Sequence, residues 1–151
     1  MSRYRIVVAD QAEAIFYDLA SLQKRPREVA RISDPVAHLH EQDMVSDRPG
    51  RSHTRVGSAR FAIEREHEPR RQEAARFAKR IARRLDEARR KGEFEDLIVV
   101  AGPPFLGLMR AELSRPTRAR VVHEVPKDLV HGTAETLRKY LPESGEGLRP
   151  A

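Results

Sequence analysis

The run Asp96-Leu97-Ile98-Val99-Val100-Ala101, which stops at Gly102-Pro103-Pro104, constrains this chain more than any other feature. A strand without polar alternation has to bury both faces, so it belongs in the middle of a sheet with cover on each side. The prolines suit the first turn of a helix, where the missing N–H costs no hydrogen bond, and Phe105, Leu106, Leu108, Met109 and Leu113 give that helix a buried side. A central strand feeding directly into a helix sets an α/β layout.

Upstream, Arg3 to Ala9 is β-rich and closes at Asp10-Gln11, and Ala12 to Leu19 alternates as Ala14, Phe16 and Asp18 against Ile15, Tyr17 and Leu19. This predicts a hairpin. A third strand is expected at Glu28 to Ile32, between Pro26 and Asp34-Pro35, which makes the first third an antiparallel meander. From about His40 to His67 no period is sustained, and a connection of that length is functional or disordered.

Near Pro69 the period changes. Ala74, Ala78, Ile81, Leu85 and Ala88, with Phe77 and Ala82 beside them, recur by threes and fours, which predicts a helix over 69–91 stopped by Gly92. Arg76, Arg83 and Arg90 follow every seven residues on the opposite side, flanked by Lys79, Arg80 and Arg84. That face reads in two ways: as a surface for a polyanion, or as a solvated face helped by Asp86 with Arg90 and Glu87 with Lys91. Beyond the apolar helix, Ser114-Arg115-Pro116 is a break, Ala119 to Val125 a strand, and Thr133 to Leu141 a last helix capped by Thr133. The expected fold class is therefore α/β with a mixed sheet, an antiparallel β-meander followed by α-β-α-β-α.

A chain of 151 residues suits one domain, expected over residues 1–141 with a flexible tail at 142–151. Cysteine is absent, which removes disulfides, zinc ribbons and thiol catalysis. The first twenty residues lack the apolar core of a signal peptide, and no run is long enough to span a bilayer, so a cytoplasmic protein without a membrane role is expected. The net charge of +6 favours nucleic acid or another polyanion as partner.

The loop Ser46-Asp47-Arg48-Pro49-Gly50-Arg51-Ser52 carries the clearest recognition chemistry. Gly50 frees the backbone, Pro49 stiffens the approach, and Arg48 and Arg51 offer planar forks that match phosphate, with Asp47 placed to orient one of them. The alternative is that Asp47 and an arginine only staple the loop to the domain. His38-Leu39-His40-Glu41 has metal-ligand character but no third distant ligand, so surface histidines are expected and no metal or cofactor. Asp10, ending the first strand, reads as a turn-forming aspartate or as the metal-binding acid of a nuclease. Lys127, Asp128 and His131 form either a polar cluster near the sheet edge, facing the Ser46 to Ser52 loop, or a structural ion pair. Gly102-Pro103-Pro104 lacks the lysine and glycine spacing of a nucleotide-binding loop.

The strand opening Ile6 to Asp10, the loop Asp43 to Ser52, the segment Ala101 to Arg110, and Val125-Pro126-Lys127-Asp128-Leu129-Val130-His131 occur in an order that closely resembles the bacterial host-attachment protein family, described as required for attachment to host cells. The likeness covers residues 3 to 141. That family in turn looks like the middle domain of archaeal and eukaryotic peptide-chain release factors, which implies a ribonuclease-H-like layout and docking on RNA, the ribosome or tRNA. Those factors hydrolyse peptidyl-tRNA with a Gly-Gly-Gln loop, which Ser46 to Ser52 lacks; Gln42 precedes the loop without a glycine pair, so release activity does not carry over. The resemblance implies a non-catalytic RNA- or ribosome-binding protein, contacting its partner through Arg48, Arg51, Arg76, Lys79, Arg80, Arg83 and Arg90. Its effect on attachment would be indirect, since an adhesin has to cross the inner membrane. Two other readings stay open: a hydrolase, acting on peptidyl-tRNA or as a metal-dependent nuclease, and a protein-interaction module in a regulatory assembly.

Overall fold

The computed structural model describes residues 2–39 and 56–144, with side chains placed for 3–39 and 68–144. Three strands open the chain: β1 (Ser2–Ala9), β2 (Glu13–Leu19) and β3 (Arg27–Ser33). A helical stretch at 35–39, α1, leads out of them, and the long helix α2 (Val56–Arg90) brings the chain back. Then follow β4 (Phe94–Ala101), α3 (Pro103–Glu112), α4 (Arg115–Arg118), β5 (Val121–Val125) and α5 (Ala134–Arg138). The strands form one sheet in the order β3-β2-β1-β4-β5, antiparallel from β3 to β1 and parallel from β1 to β5.

Strand alternation decides which side chains meet which layer. Val7, Phe16, Leu97 and Val99 point to one face and pack with Phe77, Ile81 and Leu85 of α2 and Phe105 and Met109 of α3. Ile6, Val8, Ile15, Ile98 and Val100 point to the other, where Leu22, Val130, Leu137 and Leu141 close over them. β4 is thus covered on both sides, as its unbroken apolar run requires.

Helix α2 ends at a glycine for a geometric reason. Gly92 takes φ +73°, its N–H donates to the Arg89 carbonyl at 3.0 Å, and the Glu93 N–H donates to the Ala88 carbonyl at 3.0 Å. These two bonds close the last turn, and an L side chain resists that backbone conformation. A Cβ on Gly92 would have nothing within 4 Å, so the cost of substitution lies in the backbone alone. Gly92→Ala is expected to lower unfolding free energy by about 1–2 kcal/mol in a urea titration; an unchanged midpoint would contradict the left-handed cap.

The structure departs from the sequence reading at three elements. Pro69 lies inside α2 instead of near its start, because residues 56–67 include Ala59, Ala62, Ile63, Glu64 and Arg65, which are helix-compatible residues hidden by scattered Gly, Ser and His. The break at Ser114-Arg115-Pro116 is the start of α4: Ser114 Oγ caps the Thr117 N–H at 3.4 Å, and strand β5 begins only at Val121. The last helix keeps Thr133 as its cap, accepting from the Thr136 N–H at 3.2 Å, but covers only Ala134–Arg138. Of the expected tail, residues 145–151 lie outside the described residues, while Gln23 donates to the Glu143 carbonyl at 3.0 Å.

Two polar clusters lock α2 in place. Asp86 accepts hydrogen bonds from the hydroxyls of Ser114 and the fully buried Thr117, and Arg89 Nε donates to Thr117 Oγ1 at 3.0 Å, tying the helix to α4. Burial pushes the Asp86 pKa up, but the two hydroxyls and the charges of Arg89 and Arg90 together hold it below its ordinary value. The pairs expected for Asp86 with Arg90 and Glu87 with Lys91 are not formed as ion pairs; Asp86 faces Arg89 instead, at 4.0 Å.

The second cluster joins α2 to the end of β3. Asp34 is buried, its N–H donates to the Ala12 carbonyl at 2.8 Å, and its Oδ1 accepts from the Val36 N–H at 3.1 Å. Hydrogen bonding to Asp34 raises the pKa of Glu73, assisted by burial and by the Asp34 charge and opposed by Arg76. A carboxyl with a raised folded pKa contributes fully at acid pH, below its unfolded pKa, and loses that contribution as pH rises through the folded value. Glu73→Gln, neutral throughout, should therefore gain on the wild type in thermal stability as pH rises from about 4 to about 7. A variant that loses ground to the wild type over that range would show that the Glu73 pKa is not raised in the fold.

Candidate functional site

The cations predicted on the helix lie where periodicity put them. The buried positions of α2 are Ala74, Phe77, Ala78, Ile81, Ala82, Leu85 and Ala88, and Arg76, Lys79, Arg83 and Arg90 are exposed on the opposite side. Lys79, Arg83 and Arg90 form no ion pair with a described carboxylate; Arg76 meets Glu73 at 3.2 Å with 69% of its side chain still exposed. From Arg76 to Arg90 the stripe extends about 21 Å at 1.5 Å per residue.

Arg80 behaves differently from its neighbours. Its guanidinium sits 5.4 Å from the centre of the Phe77 ring and donates to the Ser33 carbonyl at 3.4 Å, so it leans toward the sheet. Arg84 makes a similar cap over Phe16, also at 5.4 Å. Their apolar stems shield the rim of the core while the charge stays wet.

A cleft of about 560 Å³ opens at the carboxyl ends of the parallel strands. Asp10 and Gln11 enter it from the end of β1, Gly102, Pro104 and Phe105 from the β4–α3 junction, and Asp128 from the segment after β5. Arg70 and Arg71 of α2 also line it. The chain leaves β1 toward β2 on one side and leaves β4 toward β5 on the other, so the cleft falls where the sheet connectivity reverses, a position at which open α/β sheets bind ligands.

Asp10 is half-buried and makes a turn: its Oδ1 accepts from the N–H groups of Ala12 and Glu13, both at 2.8 Å, and its own N–H donates to the Glu13 carbonyl at 2.9 Å. Oδ2 has no partner among the described residues. Gly102 brings the backbone close to Asp128, whose Cβ lies 3.8 Å from where a Cβ on Gly102 would be. Pro103 and Pro104 both lack an N–H, so the start of α3 offers few amides to an anion, and the positive groups of the cleft are the guanidiniums of Arg70 and Arg71.

Lys127, Asp128 and His131 are all exposed and form no ion pair with one another; only Asp128 reaches the cleft. His38 is exposed, and among the described residues no group of three His, Cys, Asp or Glu side chains could hold a metal ion. The loop Ser46, Asp47, Arg48, Pro49, Gly50, Arg51 and Ser52, like His40, lies outside the described residues. No helix among the described residues is long and apolar enough to cross a membrane.

Sequence reasoning did not find two features. Arg70 and Arg71 lie outside the cationic stripe, and their sharing a cleft with Asp10 depends on the tertiary fold. Arg5 looks like an outward cation of an alternating strand, yet it is 7% exposed, bonded to Asp18 at 2.7 Å and Glu93 at 3.2 Å, with its guanidinium 5.8 Å from the Phe94 ring centre. The directly opposite register of Arg5 and Asp18 is the signal that explains it.

A family model described as "Protein required for attachment to host cells" matches residues 5–141. Comparison with curated proteins gives no match.

Proposed function

The chain belongs to the host-attachment family, and from that premise we propose that it is a non-catalytic protein that binds RNA, on the ribosome or as tRNA, through the cationic stripe of α2. The observation that carries this reading is the exposed row Lys79, Arg83 and Arg90, without carboxylate partners among the described residues, continued by the partly neutralised Arg76. Arg48 and Arg51 add two guanidiniums to the same partner, and Arg80, held toward Ser33, contributes less. A sheet whose antiparallel half is continued by two parallel strands supports a ribonuclease-H-like layout of the release-factor middle-domain type. Such a protein acts in the cytoplasm on translation or its regulation, with attachment as an indirect consequence.

A filter-binding titration of single-stranded RNA against salt tests the reading. Six cations on phosphate, Arg48, Arg51, Arg76, Lys79, Arg83 and Arg90, give a log–log slope of about −4, at roughly 0.7 per phosphate. A slope near zero, or no retention at low salt, would reject an electrostatic RNA interface. Cofractionation of the native protein with ribosomal particles distinguishes ribosome from free RNA as the partner.

A further inference from the structure

The cleft at the β1/β4 edge has a chemistry of its own, separate from the stripe. Its lining includes two carboxylates that accept hydrogen bonds, Asp10 and Asp128, and two guanidiniums, Arg70 and Arg71. Phe105 and Leu108 supply apolar surface between them. We propose that this cleft binds a ribonucleoside phosphate, with the phosphate on Arg70 and Arg71, the ribose hydroxyls on Asp10 and Asp128, and the base against Phe105 and Leu108.

Each part of the ligand matches a group that lines the cleft. Guanidinium forks match phosphate oxygens, and Arg71 is exposed, its one ion pair among the described residues being the intrahelical contact to Glu68 at 4.0 Å. Because Pro103 and Pro104 remove two amides from the start of α3, the phosphate goes to the arginines and not to the helix end. The carboxylates need donors, and a vicinal diol brings two. Asp10 is held in place by the two amides on its Oδ1. A ligand that is anionic at one end and rich in hydroxyl donors at the other matches both kinds of lining group, whereas inorganic phosphate matches one. The volume of about 560 Å³ lies within the range of small-molecule sites and accommodates one nucleotide.

The same chemistry is offered by a free mononucleotide and by the 3′-terminal nucleotide of an RNA strand. The inference stands independently of the stripe, since it uses other side chains and another probe; a flat RNA salt titration does not touch it, and its own failure leaves the stripe intact.

Calorimetric titration of the full chain with adenosine 5′-monophosphate, without added metal, is the test. Saturable binding is expected, weakened about tenfold or more for 2′,3′-dideoxyadenosine 5′-monophosphate and for adenosine, because each lacks one of the two groups that the cleft would hold. Arg71→Ala should weaken the monophosphate without affecting adenosine, and Asp128→Asn should reduce the preference for ribose over the dideoxy analogue. Both positions are exposed, so the fold should tolerate the changes. Competition by a short RNA only when its 3′-terminal ribose keeps both hydroxyls assigns the site to strand ends, and competition by mononucleotide alone assigns it to free nucleotide; either result supports the proposal. Absence of saturable binding, indifference to the hydroxyls, or binding that appears only with magnesium overturns it, the last because the carboxylates would then be holding a cation.

Discussion

Replacing Arg76, Lys79, Arg83 and Arg90 together by alanine is expected to make the salt dependence of RNA binding shallower by about 3, leaving a slope of about −1 from the remaining cations. Counterion release is the driving force, so wild type and variant should converge near 1 M salt and separate as salt falls. At 50 mM the separation is about three to four decades in affinity. The fold should not respond, because all four side chains are exposed and surface substitutions of this kind stay within about ±0.5 kcal/mol. An unchanged melting temperature with a lost salt slope therefore separates loss of contact from loss of structure. If the quadruple variant keeps the wild-type slope, the stripe is only a solvated face.

Phe77→Ala should have the largest effect on stability. Phe77 is fully buried between the sheet and α3, its ring centre 6.2 Å from that of Phe105 at an interplanar angle of 40°. Truncation removes the transfer free energy of the ring and leaves a cavity between two helices and a sheet that can close only partly, a loss of about 3–5 kcal/mol. Arg80 would also lose the ring on which its guanidinium rests. Chemical denaturation followed by circular dichroism measures the loss; a change below about 1 kcal/mol would mean that α2 is not wedged on the sheet through this residue.

Much of the sheet was readable because its strands follow simple periods. The hairpin of β1 and β2 came from alternation, and β4 from an apolar run that only a doubly covered strand explains. The first third of α2 was not readable, since the sequence between 56 and 67 sustains no period and Pro69 resembles a start signal. α4 is hidden because Pro116 reads as a breaker, although a proline in the first turn after a capping Ser114 is a helix opening. At the candidate site, Asp10, Gly102 and Asp128 were each legible as residues at strand ends. Their convergence with Arg70 and Arg71 was not, because it depends on β4 lying beside β1 and not beside β3. Arg5 was hidden for a similar reason: its partners Asp18 and Glu93 arrive from two other segments.

The sheet's two faces are completed at different moments in the life of the chain. Helix α2 precedes β4 in sequence and α3 follows it directly, so one face has its cover in hand before β5 emerges from the ribosome. The opposite face, with Ile6, Val8, Ile98 and Val100, waits for Val130, Leu137 and Leu141. A nascent polypeptide stalled just after β5 would present that bare apolar surface to chaperones, and release from them should follow synthesis of the final dozen core-closing residues.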